Sequence, residues 1–293
     1  MELPLESVPN VSEGRDMKAI AAIGAAFGRR ARLLDVHSDP DHNRSVFTLV
    51  GRDGELVGAL LEGIGAARER IDLRRHAGAH PRVGAVDVLP LVPLRPSDME
   101  RARVAALDVG ERIGELGLPV FLYGELGGGR IPAFFRRGGP RELQRRVDEG
   151  ELAPDFGPTR LDPAAGAVLV GARPPLVAFN VDLRTDDVEV ARGVAAVVRE
   201  SGGGFPGVRA LGLALPRSER VQVSMNVEDY KRAPLHEVVA RIAMEAAARG
   251  VEVAGSELVG LLPVGAALDA AAPALKLESL DASRVLELRL LEE

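Results

Sequence analysis

The run Arg74 to Pro90, RRHAGAHPRVGAVDVLP, places two imidazoles and three guanidiniums on a loop that leads into an apolar strand. The whole chain has five His, so two in one short window make this loop the first candidate for chemistry. An imidazole held near a strand end can act as acid or base around neutral pH. His76 and His80 are spaced for one helical face, but Gly78 disfavours helix and Pro81 drives His80 toward extended backbone. That argues against a helical metal pair. Zinc held by His76, His80 and Asp87 lacks fixed spacing across Pro81 and Gly84, and no metal is expected. The plainer alternatives are that His80 only holds the loop by a hydrogen bond and that Asp87 is an ordinary carboxylate on a strand's solvent face.

Apolar alternation predicts strands at 3–8, 33–36, 46–50, 85–94 and 120–123, and helical spacing predicts helices at 16–27, 55–70 and 97–116. The order is β-α-β-β-α-β with an extra α-β. The second half repeats it, with strands at 176–183, 208–215 and 221–227, a last one beginning at 251–253, and helices at 186–200 and from Pro234 to just before Gly250. The expected class is α+β, with two ferredoxin-like (βαββαβ) subdomains at 1–175 and 176–293. Between the halves, Gly127-Gly128-Gly129, Gly138-Gly139-Pro140 and Pro154 argue against long regular elements in 125–158, apart from a short helix at 142–147. This segment reads as a lid over the site or as a disordered connector.

With 293 residues, 46% hydrophobic and 27% charged, the chain has the composition of a soluble globular protein. It has no Cys, which excludes disulfides, thiolate metal sites and a Cys nucleophile. A net charge of -6, 3% aromatic residues and no Trp argue against nucleic acid as a partner. No apolar run is long enough to span a membrane. The start, MELPLESVPN, carries Glu2 and Glu6 and no basic region ahead of an apolar segment, so no secretory signal is read and a cytoplasmic location is expected. Gly124 to Gly129 lacks the Lys-Ser/Thr of a phosphate loop, and no GxGxxG or GxSxG is present in a fitting context.

The loop RRHAGAHPRVGAVDVLP, with ESVPNVSEGRD, DPDHNRSVFTLVG, PVFLYGE, PDFGP, LVAFNVDL, VQVSMNVEDY and GSELVGLLP, resembles the glutamate formiminotransferase family nearly end to end, to about residue 263. The resemblance implies transfer of a formimino group from N-formimino-L-glutamate to N5 of tetrahydrofolate, in histidine degradation and one-carbon metabolism. It implies a folate cleft between the sheets of the two halves and a homodimer. Tetrahydrofolate would be the co-substrate, with no metal. His80 matches the family's catalytic His. A ring near its ordinary pKa of about 6.5 could take the N5 proton and return it to the leaving nitrogen. His76 is read as orienting the loop.

Pro163, Ala164, Ala165, Gly166, Ala167, Val168, Leu169, Val170, Gly171 and Ala172 match the window that lines the folate site, although the residues alone read as a Gly-containing buried strand. Ala165 stands where relatives can carry Trp. His37 stands where they often carry Asp, with Asp35, Asp39 or Asp41 as substitutes. For the donor's carboxylates the candidates are Arg44, Arg75 and Arg82, while Asp87 could support the amidinium or orient His80. The chain stops near where the family's transferase region ends, without the cyclodeaminase fused in some relatives, so the product is expected to pass to a separate enzyme. Rival readings are formyl transfer between glutamate and folate, cyclisation of 5-formyl-tetrahydrofolate, and a non-catalytic folate-binding module, against which the intact His80 loop speaks.

Overall fold

Pro9, which has no N–H for a ladder, splits the first strand into Leu5–Ser7 (β1) and Asn10–Val11 (β2). The computed structural model describes residues 3–290. Met1, the acidic Glu2 and residues 291–293 at the end of the expected second subdomain lie outside the described residues. The chain divides into one unit ending at Pro174 and another starting at Pro175.

In the first unit, Asp16 accepts from the N–H groups of Lys18 and Ala19 and so starts helix α1, Met17–Phe27, which buries Ile20, Ile23 and Phe27. Each such buried side chain contributes roughly 1.5–3 kcal/mol. Then come β3 (Arg32–Asp39), β4 (Arg44–Gly51), α2 (Asp53–Arg70), β5 (Val86–Pro93), α3 (Met99–Glu115) and β6 (Val120–Leu122). The segment 125–158 is not a disordered connector. It holds α4 (Pro132–Arg136) and α5 (Gly139–Asp148), and Phe135, Leu143 and Val147 are buried. The Gly-Gly-Pro run that argues against regular structure lies at the start of α5, where proline fits the first helical turn. The strand β7 (Val168–Ala172) completes a seven-stranded sheet in the spatial order β3, β4, β1 with β2, β5, β7, β6.

The strands β7 and β6 run parallel to their neighbours and are buried on both faces. Val120, Leu122, Val168 and Val170 join the core with α1, α2 and α3, whereas Phe121, Tyr123, Ala167 and Leu169 join a second core with Phe135 and Leu143. This period of two explains why these strands read as continuous apolar runs.

The second unit contains β8 (Val177–Leu183), α6 (Val188–Val198), β9 (Val208–Leu215), β10 (Arg220–Val227), α7 (Leu235–Ala247) and β11 (Val253–Val259). Its antiparallel sheet has the order β11, β8, β10, β9, and α6 and α7 bury Val194, Val198, Val238 and Ile242 in its core. In order of appearance, both units place the second, third, first and fourth strands side by side. Two elements absent from the sequence expectation follow, α8 (Val264–Ala274) and α9 (Leu286–Leu290). No helix among the described residues is long and apolar enough to cross a membrane.

Candidate active site

The turn joining β3 to β4 builds one wall of the His loop. Asp39 accepts from the N–H groups of Asp41 (2.7 Å) and His42 (2.8 Å), which closes the turn, and Asn43 takes a left-handed φ of 49°. Asn43 donates to the Ala77 carbonyl (3.1 Å), its own carbonyl accepts from His76 Nε2 (3.0 Å), and Ala79 N–H reaches the Asp41 carbonyl (3.0 Å). Gly78 is required at this seam, because a Cβ there would stand 2.3 Å from the His42 carbonyl oxygen. Asp39 therefore has a structural task, and half-buried His37 sits on β3 opposite Val46.

His76 uses both ring nitrogens, since Nε2 donates to Asn43 and Nδ1 accepts from Arg82 Nη1. Burial, and then the Arg82 charge, lower its pKa to about 4, so it is a neutral brace of the loop. Arg82 also donates through Nη2 to the carbonyls of Gly78 (3.0 Å), His42 (3.4 Å) and His80. Read from sequence as a carboxylate binder, Arg82 has both terminal nitrogens engaged in holding the loop.

His80 Nδ1 lies 2.8 Å from the Pro81 carbonyl. A carbonyl only accepts, so Nδ1 carries the proton and Nε2 holds the lone pair of a base. The ring packs 5.9 Å, centre to centre, from buried His42. Burial, then the charges of Arg44, Arg136 and His42, push the His80 pKa well below 6.5. The expectation of a ring near its ordinary value is corrected, first by burial and then by the positive charge of residues distant in sequence.

Asp87 does not face solvent but is fully buried. Oδ1 accepts from Val83 N–H (2.7 Å), while Oδ2 accepts from Arg44 Nη1 (2.8 Å) and Arg136 Nη2 (2.6 Å). Burial opposes its ionisation, but Arg136 and Arg44 with the Val83 amide hold its pKa below the usual carboxylate value. Arg44 also donates Nε to Asn10 Oδ1 (3.0 Å), and burial, partly offset by Asp87, lowers its pKa to about 10. Asp87 thus organises arginines, and its hydrogen bonds do not include His80. Arg75 is exposed and joins none of these bonds. Arg136, Asn10 and His42 escaped the sequence reading. The Phe134-Phe135 pair, in a chain with eight Phe, was the signal for a buried anchor next to Arg136.

The 163–172 window braces the loop. The Ala164 carbonyl accepts from Leu73 N–H (2.8 Å), the Ala165 carbonyl from Ala85 N–H (2.8 Å), and Ala167 N–H donates to Val83 (3.0 Å). Most of its side chains lie in the two cores, Ala165 included. Pro163 is exposed and lines a cavity of about 860 Å³ with Leu73, Arg74, Arg141, Gln144 and Arg160. Gly166 has φ 72°, and a Cβ would meet the Val83 carbonyl oxygen at 2.1 Å. Gly166→Ala is expected to cost at least about 1 kcal/mol from the left-handed backbone alone, with activity lost in parallel. Thermal unfolding checks this, and an unchanged Tm would contradict it.

Residues 4–173 match the family model "Formiminotransferase domain, N-terminal subdomain", and residues 178–285 match "Formiminotransferase domain". Glutamate formimidoyltransferase of Thermoplasma acidophilum is 40% identical, covering 97% of this chain and 96% of its own. The protein of that name from Streptococcus pyogenes serotype M1 is 39% identical, covering 94% and 95%. Formimidoyltransferase-cyclodeaminase of Sus scrofa is 42% identical over 92% of this chain but only 52% of its own length. With both family models matched and full-length relatives near 40% identity, the chain belongs to the formiminotransferase family.

Proposed function

We infer that the chain is a glutamate formimidoyltransferase, an enzyme that moves the formimino group of N-formimino-L-glutamate to N5 of tetrahydrofolate. The observation that carries this is the loop chemistry: a His80 ring tied through Nδ1 to Pro81, within the electrostatic reach of the guanidiniums paired to Asp87. The strand order of each unit supports the ferredoxin-like reading. The cavity beside Pro163 falls within the roughly 300–1,000 Å³ of small-molecule sites, which supports the Pro163 end of the window as a wall for folate.

Bound tetrahydrofolate supplies the nucleophilic nitrogen. His80 Nε2 takes up the proton released at N5 as the new C–N bond forms at the amidine carbon. It then delivers that proton to the glutamate nitrogen as the old C–N bond breaks, so the ring ends as it began. A base held well below its ordinary pKa is weak. The negative charges of the donor offset the positive charge around the ring and raise its basicity when substrate is present. His76 keeps the loop in register and Asp87 keeps the two arginines aligned.

Formimino-glutamate and formyl-glutamate, each offered with tetrahydrofolate, test the reading. Turnover of the formimino donor at the higher kcat/KM is expected, and a preference for the formyl donor would reassign the reaction. The His76 nitrogens and Asp87 oxygens already hold hydrogen bonds, so they make poor metal ligands. Transfer should therefore survive chelator treatment in metal-free buffer. Activity that vanished and returned with zinc would require His80 to be reread as a ligand.

A further inference from the structure

Three guanidiniums surround the His80 loop, and the structure uses them unequally. Arg82 is tied to His76 and to three carbonyls of its own loop and the neighbouring turn. Arg44 is fixed on two sides, by Asn10 through Nε and by Asp87 through Nη1. Arg136 is held by a single nitrogen, Nη2 on Asp87, and its buried Nε has no acceptor among the described residues. A buried donor without an acceptor is unfavourable unless something else supplies one.

The position of Arg136 is rigid. Phe135 beside it is fully buried, with its ring 5.5 Å from that of Phe121, and Arg146 donates to the Phe134 carbonyl (2.9 Å) while its guanidinium covers the Phe134 ring at 4.4 Å. Helix α4 is thereby clamped in the core, with Arg136 at its end. Two guanidiniums share the one carboxylate of Asp87, so this cluster carries an excess positive charge next to the His80 ring. A planar fork with free donors and surplus charge suits a carboxylate.

We propose that Arg136 binds a carboxylate of the donor and is a specificity-determining residue for a dicarboxylate substrate. The proposal rests on the donor assigned above. Arg136 contributes because Asp87 orients it through Nη2, leaving its other terminal nitrogen, Nη1, to the ligand.

The test is calorimetric binding of N-formimino-L-glutamate and its α- and γ-monoamides to the full chain, as wild type, Arg136→Gln and Arg136→Lys, with Tm recorded for each. Arg136→Gln is expected to weaken the diacid by about 10- to 100-fold, the scale of one charge-assisted hydrogen bond. One monoamide should bind wild type and variant alike, because it lacks the carboxylate in question. Arg136→Lys keeps the charge on Asp87 without the fork, so it should show a smaller loss confined to the same donors. It carries the comparison if the Gln variant fails to melt cooperatively. Equal weakening of the diacid and both monoamides, or no binding of the diacid by wild type, would overturn the proposal. Wild type that binds the diacid through Arg136 yet fails to transfer its group to tetrahydrofolate would sink the assigned reaction and leave the role of Arg136 standing.

Discussion

His80→Ala should lower kcat by roughly 10²-fold or more, the scale of losing a general base, with KM for tetrahydrofolate little changed. The expectation follows from the Nδ1 bond to Pro81, which leaves Nε2 as the basic atom. The pH dependence has a defined sign. Burial, with Arg44, Arg136 and His42, holds the free enzyme's ring well below 6.5, so the base stays unprotonated as pH falls through 6.5. The acid limb of kcat/KM should therefore lie below pH 6.5. A limb at or above 6.5 that disappears in His80→Gln would show that the surrounding charge does not act on this ring as described. Near-normal kcat in the alanine variant would remove His80 from proton transfer altogether.

Asp87→Ala should be the most destabilising single change at the site. Removing the one carboxylate leaves the Arg44 and Arg136 guanidiniums uncompensated and the Val83 amide without its acceptor. Breaking such a buried pair costs about 3–5 kcal/mol, read as a lower urea midpoint. The pH dependence of wild-type stability follows from the same groups. His76 has a folded pKa of about 4 against an ordinary 6.5, so the unfolded chain binds its proton first and stability falls as pH drops from 6.5 toward 4. His80 acts in the same direction. Asp87 has a depressed pKa, so its contribution is present above 3.8 and is lost as pH falls further. A urea midpoint that stayed flat from pH 7 to pH 4 would contradict this assignment.

Strands and helices with regular apolar spacing were legible in the sequence. In α1, Ile20 and Ile23 keep helical spacing and are buried, whereas Met17 on the same pattern is exposed. The segment 125–158 was legible only in part: the short helix expected at 142–147 lies within α5, but α4 was missed, because Gly and Pro mark loops and helix starts alike. The Gly138-Gly139-Pro140 run has the composition of a break and the geometry of a helix entrance. The His loop was visible from composition, but its electrostatics were not. Asp87 draws its partners from Arg44 and Arg136, 43 and 49 residues away along the chain, so neither its burial nor its arginines could be read from local pattern. The loop's own Arg82 looked equally available for substrate, and only the fold shows that its donors face carbonyls.

Single-turnover transfer from ¹³C-formimino-labelled glutamate to tetrahydrofolate, followed by NMR for wild type and His80→Gln side by side, tests the central claim most directly. The account predicts that wild type moves the label to N5, while the variant binds both substrates and transfers at least about 10²-fold more slowly. Transfer by the variant at the wild-type rate, or no label on N5 with wild type, would contradict it.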